Sequence, residues 1–234
     1  MCIFLASLVL AAASVLISAS AAGAAPVRSA NWSGYVAVGA HYLVQATWVV
    51  PAVSCTSGSQ YSSVWVGLDG YNSSTVEQIG TEADCSNGTP VYYAWYQFYP
   101  DQRHTLSDPV HAGDKLTAFS AYSGAVLDYY DMGILDYTGR WSERMSGEAS
   151  GPQPTSAEVV VGLPDCDSGC ILPLANFGTV SITDAQVDAA PLSYTNPLQI
   201  VMATGSTGPN KDTVSALSTS ATGSDFNATW VSAG

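Results

Sequence analysis

An all-β fold, a sandwich or a barrel, is predicted by three features of the chain. Short runs rich in Val, Tyr, Thr and Trp are broken every eight to twelve residues or so by Gly, Pro, Asn and Ser. Helix signals are scarce. Setting aside an apolar leader leaves about 210 of the 234 residues, enough for one large β domain with a sizeable core. No linker, internal repeat or low-complexity block divides it.

The strands follow in order. Tyr42 to Val50 and Ser62 to Leu68 each hold a Trp among β-branched residues and are closed by Pro51 and by Asp69-Gly70. Val91 to Tyr99 is aromatic throughout and stops at Pro100. Lys115 to Ala121 and Ala125 to Met132 flank Gly124. Ser156 to Gly162 contains three consecutive valines, and Thr179 to Thr183 and Leu198 to Ala203 complete the set. The stretch from Arg140 to Glu148 has weak helical character but is short and contains Gly147, so it is expected to be a loop or a single turn. Within Val91 to Tyr99, alternation places Tyr93, Trp95, Gln97 and Tyr99 on one face and Tyr92, Ala94, Tyr96 and Phe98 on the other. Both faces are aromatic, as in a strand packed inside a sandwich or one whose second face lines a cleft.

Residues 1 to 25 have the character of a secretory signal. From Ile3 to Ala25 the chain is apolar or small, and Ala19-Ser-Ala21 and Ala22-Gly-Ala24 fit the pattern that signal peptidase cuts, although no basic residue precedes the apolar stretch. A single domain over residues 26 to 234 is then expected outside the cell. No second apolar run of about 20 residues exists, so no membrane association is expected after removal of the leader.

The mature cysteines, Cys55, Cys85, Cys166 and Cys170, form an even set in an exported chain and read as two disulfides. Cys166 and Cys170 are near enough to staple a turn, which leaves Cys55 for Cys85. A zinc site is the weaker reading, because no Cys-x-x-Cys occurs and no His lies beside any of the four. With 19 acidic against 6 basic residues the formal charge is −13 and the pI is near 4.1. Nucleic acid is a poor partner for such a surface. Acid, in contrast, relieves its self-repulsion and has few ion pairs to break.

Conventional catalytic motifs are absent. His41, His104 and His111 have no Gly-x-Ser-x-Gly elbow to serve, and no His-Glu-x-x-His appears. His104 and His111 fall in an Asp-rich segment expected to be a solvated loop. Carboxylates remain. Glu77, Glu82 and Asp84 surround Gln78, and Asp69 ends a strand nearby. Glu82 and Asp84 are expected to be solvated and inert. Glu158 differs, because it sits inside Ala157-Glu-Val-Val-Val, where an ionised carboxylate is costly without a partner. One such acid meeting one amide, Gln78, in a cleft has the chemistry to hydrolyse a peptide bond. A paired-carboxylate glycosidase and a non-catalytic, lectin-like sugar-binding sandwich are the alternatives.

Six words of sequence sharpen this choice. They are Asn31-Trp-Ser-Gly-Tyr35, Trp65-Val-Gly-Leu-Asp-Gly70, Glu77-Gln-Ile-Gly-Thr81, Tyr93-Ala-Trp-Tyr-Gln-Phe-Tyr-Pro100, Ala157-Glu-Val-Val-Val161 and Leu172-Pro-Leu-Ala-Asn-Phe-Gly178. In this order, over nearly the whole mature chain, they resemble the glutamic peptidases or eqolisins, secreted endopeptidases that act in acid. The resemblance implies a sandwich of two large antiparallel sheets, jelly-roll or concanavalin-like, with Gln78 and Glu158 projecting from one sheet into a cleft. It implies that Glu158, ionised with a pKa around 4, takes a proton from water while the Gln78 amide stabilises the oxyanion. Trp65, Asp69 and Tyr99 would line the cleft and Trp32 would close it. Polypeptides are then the expected substrates, with no cofactor or metal and a monomeric chain.

Two departures stand out. Tyr93 and Gln97 replace acidic residues that fungal members carry in the aromatic strand, and only a few residues separate the leader from Asn31, so a pro-segment is expected to be short or absent. Asn31, Asn72, Asn87 and Asn227 each begin a glycosylation sequon.

Overall fold

The computed structural model describes residues 25–123, 129–148, 154–164 and 172–234. In chain order its strands are β1 (Val27–Ser29), β2 (Trp32–Val38), β3 (Leu43–Val49), β4 (Ser63–Leu68), β5 (Val76–Ser86), β6 (Thr89–Tyr99), β7 (His104–Thr105), β8 (Lys115–Tyr122) and β9 (Tyr129–Asp136). There follow β10 (Trp141–Glu148), β11 (Ser156–Gly162), β12 (Thr179–Val187), β13 (Ala190–Pro191), β14 (Leu198–Met202), β15 (Asp212–Val214), β16 (Ser218–Thr219) and β17 (Ser224–Trp230). They form two sheets packed as a sandwich, as expected. The first runs β1-β14-β2-β11-β4-β5-β6-β7 and the second β10-β9-β8-β3-β12-β17-β15, with β13 and β16 paired to β12 and β17. Pairing among these strands is antiparallel except for β1 on β14.

The interior is where the facing sides of the two sheets meet. Val64, Val66, Leu68, Ile79, Val159 and Val161 of the first sheet share one buried cluster with Trp48, Leu116, Met132, Ile134, Ile182 and Phe226 of the second. Period-two alternation then sends Glu158 and Val160, Trp65 and Gly67, and Val76 and Gln78 to the opposite, outer side of the first sheet. That side is not bare. Trp65, Trp95, Val76 and Val160 form a second buried cluster there, with Trp32 and Tyr93 against it. The valine run of β11 is thus buried on both faces, which explains why it reads as continuously apolar rather than alternating.

The two faces of β6 separate as the alternation predicts. Ala94, Tyr92, Tyr96 and Phe98 belong to the interior cluster, whereas Trp95 and Tyr93 belong to the outer one.

Three expectations are corrected. The segment expected as a loop at Arg140 to Glu148 is the edge strand β10, paired along its whole length with β9. Gly147 is no breaker there: a Cβ would lie 2.8 Å from the Phe98 ring, so the glycine makes room for an aromatic side chain from the other sheet. Glu82 and Asp84 are not solvated loop residues but buried members of the eleven-residue β5, a strand whose three carboxylates masked its pattern. His104 likewise sits in β7, its ring stacked 5.0 Å from Tyr96.

Cys55 and Cys85 form a disulfide, which rules out zinc at that pair. Cys166 and Cys170 and the 1–24 part of the expected leader lie outside the described residues, as does the 125–128 part of the strand expected from Ala125. Among the described residues no cluster of His, Cys, Asp and Glu suits a metal ion, and no helix is long and apolar enough to cross a membrane.

Glu77 faces the interior. Burial pushes its carboxyl up to about 8, the nearby charge of Asp69 adds to the shift, and a hydrogen bond with Tyr130 opposes it. A group whose pKa is raised on folding stabilises the fold fully below its unfolded value, about 4.5, and that contribution is lost as pH rises through about 8. The urea midpoint of the wild type should therefore fall between pH 4 and pH 9, and Glu77→Gln, which mimics the neutral acid, should fall less steeply. Parallel curves for the two proteins would show that Glu77 is not held neutral.

Candidate active site

Four strands bring the candidate residues into one row. Register pairs Glu158 of β11 with Gly67 of β4, Gly67 with Gln78 of β5, and Gln78 with Gln97 of β6. Residues opposed in this way share a face. Glu158 and Gln78 are two strands apart, about 10 Å between backbones, and the position between them carries no side chain. A Cβ on Gly67 would lie 3.0 to 3.2 Å from Trp65, Val76 and the Gln78 Cβ. The glycine therefore makes room for the side chains of Trp65 and Val76, which pack against its backbone beside the stem of Gln78.

The amide is held in place. Gln78 Nε2 donates to Gln97 Oε1 at 3.0 Å, and Gln97 Nε2 donates to the Asp101 carbonyl at 2.8 Å. One N–H of Gln78 is thus engaged, and its other N–H is available to a ligand.

Glu158 is fully buried. Its Oε1 accepts from the backbone N–H groups of Gly70 and Tyr71, at 3.3 and 3.2 Å, while Oε2 has no partner among the described residues. Burial pushes the carboxyl up to about 8 against the pull of its hydrogen bonds with Ser156, Gly70 and Tyr71. The value expected from the sequence, around 4, is corrected: the backbone donors do not offset the loss of water, and the neutral acid is the resting form across the acid range.

A cleft of about 520 Å³ opens at the Gln78 and Gln97 end of this row, lined among others by Trp32, Trp65, Gln78, Trp95, Gln97 and Tyr99. Trp32 and Trp65 meet edge to face at 5.0 Å. Glu158 lies behind this wall at Gly70, where a Cβ would sit 3.4 Å from its carboxyl carbon and 2.7 Å from the Trp32 ring. Of the residues the sequence assigned to the cleft, Trp32, Trp65, Gln78 and Tyr99 line it.

Asp69 does not line it. It is fully buried with a φ of 69°, a left-handed conformation that aspartate tolerates better than most residues. Its Oδ1 accepts from the backbone N–H and hydroxyl of Thr155, and its Oδ2 from the Thr75 hydroxyl. It closes the turn that presents the Gly70 and Tyr71 amides to Glu158 by holding Thr75, and ties that turn to the chain entering β11 at Thr155. Gly67, Gln97 and the Gly70 amide were missed by the sequence reading. Their signal is the strand register, which a single sequence does not display.

The sequence profile of the Peptidase A4 family matches residues 30–229. Aspergillopepsin-2 of Aspergillus niger is 32% identical over 68% of this chain and 64% of its own length. Scytalidopepsin B of Scytalidium lignicola is 33% identical over 67% and 63%. The chain thus spans a little under two thirds of these relatives. A crystal structure of scytalido-glutamic peptidase with a transition-state analogue inhibitor shares the fold, with a TM-score of 0.71, 24% identity, and coverage of 86% of this chain and 98% of that one. That of aspergilloglutamic peptidase from Aspergillus niger gives 0.59, 23%, 74% and 99%.

Asp69→Ala removes the acceptor from three donors and puts a less tolerant residue at positive φ. Urea unfolding should show a loss of about 2 to 4 kcal/mol, and a loss under about 0.5 kcal/mol would show that the turn holds without it.

Proposed function

Because the chain belongs to the Peptidase A4 family, we propose that it is a secreted endopeptidase that cuts polypeptides in acid with Glu158 and Gln78. The observation that carries this reading is the row Glu158, Gly67, Gln78, in which an acid and an anchored amide share one face of the sheet on either side of a residue without a side chain. The row holds one carboxyl opposite an amide rather than two carboxyls, so it favours peptide hydrolysis over the paired-acid chemistry of a glycosidase.

The buried, neutral acid sets the mechanism. A scissile carbonyl brought to the row, past the Trp32 ring that covers Gly70 in front of Glu158, gives Glu158 Oε2–H its missing partner, and the free N–H of Gln78 donates to the same oxygen. Water attacks the carbonyl carbon. As the new C–O bond forms, the carbonyl oxygen takes the proton from Oε2, and the carboxylate so produced takes a proton from the attacking water. The product is a neutral gem-diol with Glu158 again protonated. Glu158 then donates to the leaving nitrogen, the C–N bond breaks, and a hydroxyl proton of the gem-diol returns to the carboxylate. Acid and amine leave, and the enzyme is unchanged. Gln78 cannot titrate, so its donation to the developing oxyanion persists at every pH, a role that elsewhere is worth about 3 to 4 kcal/mol. The aromatic cleft wall holds the extended chain on either side of the scissile bond.

Cleavage of denatured casein across pH 2 to 9 tests this. Rates should be highest in acid and fall as pH climbs through about 8, where Glu158 loses its proton. A rate that rises from pH 4 to 8 would instead assign catalysis to the ionised carboxylate. Glu158→Gln should lower kcat at least about a thousandfold and Gln78→Ala about a hundred- to a thousandfold, each with an unchanged circular dichroism spectrum. Near-normal turnover by either folded variant overturns the pair. Pepstatin-type, chelating and serine-directed inhibitors should have no effect, since the mechanism uses no Asp dyad, metal or nucleophilic serine.

A further inference from the structure

The cleft wall carries a cation that the hydrolytic row does not use. Arg103 lines the same cavity as Gln78 and is the one cation among its described lining residues. Its guanidinium carbon lies 4.2 Å over the Trp95 ring, and its Nη1 donates to Glu82 Oε1. Stacking on one side and a tether at one corner fix the plane of the fork. A guanidinium has five N–H donors, and the Nη1 donation is its one hydrogen bond among the described residues. About a quarter of the side chain, 27%, remains exposed, whereas Glu82 is not exposed at all.

A purely structural role, neutralising Glu82, does not account for this arrangement. Glu82 and Asp84 stand on the same face of β5, and the charge of Asp84 adds to the rise of Glu82. Asp84 Oδ1 accepts from the Ser62 N–H at 3.1 Å and its Oδ2 from the Tyr93 hydroxyl at 3.4 Å. Burial holds Glu82 well above the usual carboxyl range despite Arg103, and burial raises Asp84 as well. In acid, then, the arginine keeps its charge while the acids beneath it are neutral. Asp101 is the remaining charged residue along this wall.

A fixed, partly desolvated arginine fork matches a carboxylate with two parallel hydrogen bonds. Its place in the cleft follows from register. Trp95 pairs with Gly80, two residues along the same face from the Gln97 and Gln78 pair, or about 7 Å, the reach of two residues of an extended peptide. We infer that Arg103 is a specificity-determining residue: a carboxylate receptor favouring peptides with an Asp or Glu side chain, or a free C-terminus, about two residues from the cleaved bond. This rests on the peptidase reading above.

Matched peptides test it, with Gln exchanged for Glu one position at a time around the cleavage site and with C-termini free or amidated. At pH 5, where a peptide glutamate of pKa near 4.3 is ionised, the wild type should prefer Glu to Gln at one position by roughly tenfold or more in kcat/KM. The preference should shrink at pH 3. Arg103→Gln combined with Glu82→Gln, which leaves neither charge buried alone, should bring the ratio near one, and Arg103→Lys, without the fork, should give a smaller ratio than wild type. Should the double variant not fold, Arg103→Lys decides. Preference for the free acid alone assigns the C-terminal carboxylate as the ligand. Equal rates for all wild-type pairs, or a ratio that survives the substitutions, overturn the inference. If the wild type cuts no peptide, the peptidase reading fails, and calorimetric titration of the same Glu and Gln peptides then judges Arg103 alone. Tighter binding of the Glu peptide supports the receptor, and equal affinity overturns it.

Discussion

A carboxyl group enclosed in a β-sheet must be neutral or closely partnered, and much of this protein is arranged around that constraint. Glu158, Glu82, Glu77 and Asp69 are all buried, each with a different solution. Asp69 is satisfied by three donors of neighbouring chain. Glu82 has an arginine and a second acid. Glu77 sits between the sheets near a tyrosine hydroxyl. Glu158 receives two backbone donors on one oxygen and none on the other. Only Glu158 stands in the same cross-strand row as Gln78. The formal net charge of −13 and the raised carboxyls of Glu77, Glu82 and Glu158 point the same way, toward a molecule most easily accommodated when these groups are protonated.

Much of this was legible in the chain. Strand composition and punctuation gave the all-β class, the alternation in β6 separated core face from cleft face, and the valines around Glu158 marked it as buried. The residues that escaped were those whose environment is supplied by distant chain. In β5, Glu77, Glu82 and Asp84 look like a polar loop until Arg103, Tyr130 and the second sheet are in place to receive them. In β10, local sequence favours a turn, and pairing with β9 outweighs it. Gly67 reads as an ordinary strand glycine, because its role depends on which residues of β5 and β11 stand beside it. Asp69 shows the converse: its position beside the cleft words was right, but its hydrogen bonds turn it toward the supporting turn and away from the cavity.

Positioning in the site is shared out among backbone and side chain in a way that limits motion where the chemistry needs it. Gln78 is fixed through Gln97 to the Asp101 carbonyl, and Glu158 through amides of a turn that Asp69 closes onto Thr75 and ties to Thr155. The aromatic wall of Trp32, Trp65 and Trp95 contributes bulk and excludes water. Glycines at 67 and 70 leave the space that Trp65, Trp32 and Val76 fill, so the packing of the wall depends on missing side chains as much as on large ones.

The placement of β11 has a bearing on when the site comes into being. This strand lies between β2 and β4, both of which are synthesised long before it. Until residue 158 has left the ribosome and its strand has slotted in, the first sheet is split between β2 and β4 and Gly67 lies on an open edge. The acid and the amide are joined only when β11 is placed, with β14 alone of that sheet's strands still to follow in the chain, so an unfinished chain carries every part of the cleft wall made by β4, β5 and β6 yet has no acid with which to cut its neighbours.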